Sequence, residues 1–328
     1  MVAPPPAADA SRPVGIRRFL LKVGLFLAVQ AASVCGLIVA GQDDDPYFAA
    51  YAQKRTLAET APGPRVVLVG GSNLAFGVDS VRLGAAVRRT PVNLGLNAGL
   101  GRHFILDQAA ASVKEGDLVI LSLETGPGNQ ATVMNDLLLL EPTAARHLRL
   151  PGWKTVGDTA LEYVMLKARG GARRLTLDSE RERGYRGSGF DQNGDYVAHR
   201  TITPDPNRVL VGIAGATPPE KLEHVDAFAR TVREAGATLA VVHPPVPRRR
   251  YLEHKANLDA WDRSLRERLP VPVLTTPGDA ALPEELFYDT AYHLTGPGIE
   301  RRTTALIDLL TAAGLAEPPT EPGAEQQR

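Results

Sequence analysis

The sequence is poor in cysteine. Cys35 stands alone, which excludes an intramolecular disulfide and a thiolate metal cluster. It also lacks an excess of charge of either sign: 37 Lys and Arg residues balance 37 Asp and Glu residues. No basic field gathers nucleic acid and no acidic tail mimics it, so no nucleic-acid partner is expected. Internal repeats are missing, and neither G-x-x-x-x-G-K-[ST] nor G-x-G-x-x-G occurs, which removes the usual sequence support for nucleotide binding. What remains is a globular composition, 44% hydrophobic and 23% charged over 328 residues, sufficient for one sizeable α/β core.

One long apolar run is present. From Phe19 to Ala40 only Lys22 and Gln30 interrupt a stretch of bilayer-spanning length, and Lys22 lies near enough to its end to snorkel. Arg12, Arg17 and Arg18 precede the run and the acidic stretch Asp43-Asp44-Asp45 follows it. The positive-inside bias therefore predicts a cytoplasmic N-terminus and an extracytoplasmic remainder. A cleaved signal peptide is the rival reading, with Val39-Ala40-Gly41 as its cleavage site; the run exceeds a usual signal h-region, which favours an uncleaved anchor. Val34 before Cys35 disfavours lipidation there.

The expected organisation is a disordered cytoplasmic tail (1–15), a transmembrane anchor (16–41), a short helix and linker (42–64), an α/β domain (65–314) and a disordered tail (315–328). Within the domain, RVVLVG (65–70), TPVNLGLNAGLG (90–101, a short strand ending in a Gly/Asn loop) and GDLVILSLE (116–124) read as strands separated by segments of helical spacing. Further strands are expected at ATLAVVHPP (237–245) and VPVLTTP (271–277), each followed by a helix. This alternation predicts a doubly wound, mainly parallel sheet flanked by helices in three layers. Residues 126–207 break the rhythm and read as an insertion near the C-terminal edge of the sheet, where ligands bind in such folds.

The first strand runs into Gly70-Gly71-Ser72-Asn73. A serine on a glycine turn at the carboxyl end of a strand, ahead of a helix, has the accessibility and local dipole of a nucleophile; the competing reading is a helix N-cap. Asp289 and His293 share one short loop before the last helix, and a serine nucleophile needs a histidine base oriented by a carboxylate. Among the other histidines, His243 ends a predicted strand and is a candidate pocket residue, whereas His199 reads as an ordinary polar position.

The strand into GGSN, the NLGLNAGLG segment (93–101) and DTAYHLTGPG (289–298) resemble the SGNH (GDSL-like) hydrolase superfamily. That resemblance implies Ser72 as nucleophile, His293 as base, Asp289 as its orienting carboxylate, and an oxyanion hole built from the N–H groups of Ser72 and Gly95, with no metal or other cofactor. The departures are GGSN for Gly-Asp-Ser-Leu, a spacing one residue longer than Asp-x-x-His, and LSLETGPGN where the family carries Gly-x-Asn-Asp. An amide donor to the oxyanion then comes from Asn97 or Asn73, and Glu124 either lines the site or caps its loop. An anchored domain of this type also resembles the DltD-like and alginate O-acetylation accessory proteins. It implies a serine esterase or O-acyltransferase acting on acyl esters of cell-envelope glycans beside a multi-spanning membrane O-acyltransferase. The alternative is a membrane-tethered binding or assembly protein that keeps the fold without the activity.

Overall fold

In chain order, the elements begin with α1 (Arg12–Ala40), α2 (Ala50–Thr60), β1 (Arg65–Gly70), α3 (Ser72–Ala75), α4 (Ser80–Val87), β2 (Thr90–Asn93), α5 (Arg102–Ala110), β3 (Leu118–Ser122) and α6 (Ala131–Leu140). They continue with α7 (Glu223–Glu234), β4 (Thr238–Val241), β5 (Val246–Pro247), α8 (Arg248–Arg268), β6 (Ala281–Leu282) and α9 (Gly296–Ala312). The computed structural model describes residues 12–40, 45–125, 131–147, 164–165, 167–169, 172, 185–204, 207, 210 and 222–316.

Four strands pair in parallel in the order β2-β1-β3-β4. β1 and β3 are buried along their whole length, which is why both read as unbroken apolar runs. Successive side chains leave the sheet on opposite faces, so Val67 and Val69 enter one apolar cluster while Val66 and Leu68 enter another. Tyr51 of α2, Phe104 of α5, Phe228 of α7 and Trp261 of α8 complete the first cluster; Leu83 of α4 and Leu306 of α9 complete the second. The chain is thus a mixed α/β protein with a central parallel sheet flanked by helices. The carboxyl ends of β1 and β3 lie side by side, Gly70 opposite Ser122, where connections leave for opposite ends of the sheet.

Three expectations change. The strand expected at 271–277 is reduced to one bridge, Val241 to Val273, framed by Val241 N–H to Pro272 O and Leu274 N–H to Val241 O. Pro272 has no N–H with which to extend that ladder. Residues 42–64 are not a linker throughout: Phe48 and Tyr51 enter the core, and the buried Lys54 amine donates to the carbonyls of Asn93 and Gly194. The end of the expected insertion is likewise integral. Asn93 N–H donates to Asn193 O, and the buried Asp195 carboxylate accepts from Ser80 N–H (2.8 Å) and Asn93 Nδ2 (2.8 Å). The N-terminal tail before residue 12 and the C-terminal tail from 317 lie outside the described residues, while Leu315 still packs against the second cluster.

The Gly15–Ala40 part of α1 is long and apolar enough to cross a membrane. Its large side chains, Phe19, Leu21 and Leu25 among them, are exposed.

Candidate functional site

Ser72 opens α3 directly after β1, half-buried. The two glycines before it serve close approach. Gly71 has φ −86°, open to any residue, but a Cβ there would lie 2.6 Å from Glu124 Oε1 and 2.9 Å from the Ala98 methyl. A Cβ on Gly70 would collide with the carbonyl of Ser122 on β3. The cap position belongs to Gly71, with no side-chain cap, so Ser72 is not the N-cap of this helix. Its hydroxyl donates instead to Glu124 Oε1 at 3.4 Å, a long and weak bond.

Beneath the serine lies a closed polar network. Asn73 is fully buried; its Nδ2 donates to Ser122 O (3.1 Å) and Glu124 Oε1 (3.2 Å), and its Oδ1 accepts from Ser122 Oγ (2.9 Å) and Arg302 Nη2 (3.1 Å). The Asn73 N–H donates to Glu124 Oε1 at 2.8 Å, and Arg302 Nη1 donates to Asn73 O at 2.6 Å. Burial pulls the Arg302 guanidinium down to about 9, against which the Glu124 carboxylate acts to raise it. Glu124 and the buried arginine thus share Asn73 as a common partner, with no direct ion pair between them among the described residues. Both ends of the Asn73 amide are committed to this network.

The remaining oxyanion candidates divide in the same way. The Gly95 N–H donates to Asn93 Oδ1 at 2.9 Å, and Gly95 packs so closely on the Ser72 turn that a Cβ would lie 2.8 Å from Gly71 O and 2.9 Å from Ala75 N. Asn97 accepts from Gly99 N–H at 2.7 Å. Neither the Asn97 Nδ2 nor the Ser72 N–H has a hydrogen-bond acceptor among the described residues.

Asp289 and His293 meet despite their longer spacing: His293 Nδ1 lies 2.8 Å from Asp289 Oδ1. The loop is fixed by Tyr288 N–H to His293 O (2.8 Å), His293 N–H to Thr290 Oγ1 (3.1 Å) and Leu294 N–H to Phe76 O (3.2 Å). The His293 ring stacks on Phe76 with centroids 4.0 Å apart and planes 12° apart. Phe76 N–H in turn bonds Ser72 O, so the imidazole sits over the residue one helical turn beyond the serine. No hydrogen bond joins Ser72 Oγ to His293 among the described residues. Burial works to raise the Asp289 carboxyl, but the hydrogen bond and charge of His293, with the Tyr185 hydroxyl, hold it below its ordinary value.

Tyr185 is the residue that sequence reasoning missed. Its hydroxyl donates to Asp289 Oδ2 and lies 2.9 Å from His293 Nδ1. It comes from an aperiodic stretch rich in Gly and Arg, where nothing marks one tyrosine above its neighbours. His243, at the end of β4, is buried, with Nε2 2.8 Å from Asp262 Oδ1 and its N–H on Thr275 Oγ1. Burial lowers its pKa, and it lines a small cavity with Thr125, Leu258 and Tyr292. The structure thus brings Ser72, Asn73 and Glu124 into one network, and Asp289, His293 and Tyr185 into another beside it. His243 is bonded to neither.

His199 is more than a polar position. It packs behind the same Phe76 ring, 4.9 Å between centroids, with Nε2 on Leu294 O (2.8 Å) and a buried Nδ1 that has no partner among the described residues. Burial pulls its pKa down to about 4. The fold therefore holds it neutral, while the unfolded chain takes up a proton below about pH 6.5. Stability is expected to rise with pH between 4 and 6.5, by on the order of 2–3 kcal/mol across that window. Urea unfolding at pH 4.5 and 6.5 checks this, and the difference should shrink in His199→Phe.

No family model matches the chain, and comparison with curated proteins finds no match.

Proposed function

We propose that this protein is a membrane-anchored serine esterase or O-acyltransferase of the SGNH type, acting outside the membrane on acyl esters of cell-envelope or exopolysaccharide glycans. The observation that carries the chemistry is the Asp289–His293 pair at 2.8 Å, stacked on Phe76 one turn beyond Ser72 at the carboxyl end of β1. In this reading His293 Nε2 takes the Ser72 proton as Oγ bonds to the ester carbonyl carbon. The intermediate's oxyanion meets the Ser72 N–H and Asn97 Nδ2, and the protonated imidazole then gives its proton to the departing sugar oxygen. Water or a second sugar hydroxyl, deprotonated by His293, attacks the acyl-serine and regenerates the hydroxyl. The Ser72 to His293 contact forms on substrate binding, since catalytic hydrogen bonds commonly tighten only in the bound complex.

The glycan substrate and the multi-spanning acyltransferase partner rest on the sequence resemblance together with the anchor. Orientation rests on Arg17 and Arg18 before the apolar run Phe19–Ala40 and Asp43 to Asp45 after it. A reporter active only in the cytoplasm, fused after Arg328, is expected to be silent; a signal from it would reverse the topology.

One observation favours a tethered binding protein instead. The Glu124 carboxylate occupies the turn where an oxyanion would be received, and the Gly95 N–H is turned to Asn93. Incubation of the full chain with a fluorophosphonate and an activated acetyl ester separates the two readings. Covalent labelling with ester turnover supports the enzyme; inertness to both supports the binding protein.

A further inference from the structure

The Asp289–His293 pair differs from a buried triad in one respect. The Asp289 side chain is 37% exposed, whereas that of His293 is 6% exposed. A carboxylate open to water exchanges hydrogen bonds with solvent and holds an imidazole less firmly than a buried one does. Tyr185 answers this by geometry. Its hydroxyl proton goes to Asp289 Oδ2, which leaves Oδ1 for His293 Nδ1–H, so both carboxylate oxygens are committed. The Tyr185 oxygen also stands 2.9 Å from Nδ1, as a second acceptor for the same imidazole proton.

Its ring cannot readily leave this position. It packs against Phe76 (4.7 Å between centroids), Tyr196 (5.4 Å), Tyr47 (5.7 Å) and His293 itself (5.6 Å). Burial and the neighbouring Asp289 charge push the phenol well above its ordinary value, so it remains a neutral donor. The other titratable groups around this cluster among the described residues are His199, Tyr288, Tyr196 and Tyr47.

We propose that Tyr185 is a positioning residue for His293, sharing with Asp289 the task of holding Nδ1 protonated and Nε2 bare. The inference builds on the acyl-transfer reading, since a bare Nε2 matters only where the imidazole acts as a base. Asp289 is then not the sole orienter, and the two residues substitute for one another in part. Without Asp289, the Tyr185 oxygen still accepts from Nδ1–H; without the Tyr185 hydroxyl, Asp289 still accepts but with one oxygen returned to water.

The test uses the full chain, labelled with 15N-histidine, and follows two readouts: the His293 Nδ1–H resonance, assigned by its loss in His293→Gln, and the rate of fluorophosphonate labelling. Asp289→Ala and Tyr185→Phe are each expected to keep the resonance, with faster proton exchange, and to slow labelling by about 10–100-fold. The double variant is expected to lose the resonance and about 10⁴-fold in labelling, the loss typical of a histidine held in the wrong tautomer. A structural role for the ring alone would leave Tyr185→Phe like the wild type in both readouts, and that result would overturn the proposal. So would loss of the resonance in Asp289→Ala alone, or its absence from the wild type. Should the double variant fail to fold, exchange in Tyr185→Phe decides: faster than wild type supports the proposal, unchanged overturns it. A wild type that never labels sinks the acyl-transfer reading, while the resonance still decides whether Tyr185 holds the histidine.

Discussion

On the proposed acyl-transfer reading, Ser72→Ala is expected to abolish fluorophosphonate labelling and to lower ester turnover by about 10⁴-fold or more, at almost unchanged stability. The covalent step needs the hydroxyl, and removing the nucleophile of a serine hydrolase leaves only what binding and the oxyanion donors supply. The stability side follows from the local structure. The cap position belongs to Gly71, Ser72 is half-buried, and the one hydrogen bond of its hydroxyl among the described residues, to Glu124, is 3.4 Å long. Truncating such a side chain costs about 0.5 kcal/mol or less. Labelling and urea unfolding on the same preparation read both quantities. Labelling that persists in Ser72→Ala would place the nucleophile elsewhere; a large fall in stability would mean that the hydroxyl matters mainly to the polar network beneath it.

Arg302→Met is expected to do the reverse, lowering stability by about 1–3 kcal/mol, because it leaves buried acceptors without their donor. The guanidinium is buried on α9 and serves the Asn73 carbonyl and Oδ1 and the Ser122 hydroxyl. Methionine fills comparable space and offers no donor. Glu124 shares Asn73 with the guanidinium, and a double-variant cycle with Glu124→Gln measures their coupling. Equal urea midpoints for Arg302→Met and the wild type would show that these acceptors need no donor from α9.

Much of this architecture was readable because it is local. The β-branched runs at Arg65–Gly70 and Leu118–Ser122 are buried on both faces, so their composition alone announces parallel strands. Asp289 and His293 were readable as a pair because both fall in one short loop. Partners far apart in the chain were not. Glu124 and Arg302 are 178 positions apart and meet through Asn73, and Tyr185 reaches Asp289 across 104 positions, separations to which periodicity and spacing are blind. The expectation that Gly95 N–H faces an oxyanion depended on where one Asn93 side chain turns, and that follows from Asp195 and Leu74 O holding its amide nitrogen. The segment of residues 42–64 read as a short helix and linker because Pro62, Gly63 and Pro64 end it; burial of Lys54 among carbonyls is decided by elements far along the chain.

Lys54 also makes the fold's N-terminal edge chemically observable. Its amine is enclosed at 1% exposure, donating to the carbonyls of Asn93 and Gly194 and lying 4.5 Å from the centre of the Phe190 ring. Amine-reactive reagents reach it only when α2 lifts away from β2 and the 191–195 turn, so its modification rate counts those openings as hydrogen exchange would. In the chain, α2 comes shortly after the apolar helix. On the proposed reading of that helix as an anchor, a pull from a bilayer would pass along the chain toward the helix that carries Lys54, and the accessibility of a single amine would gauge the mechanical load.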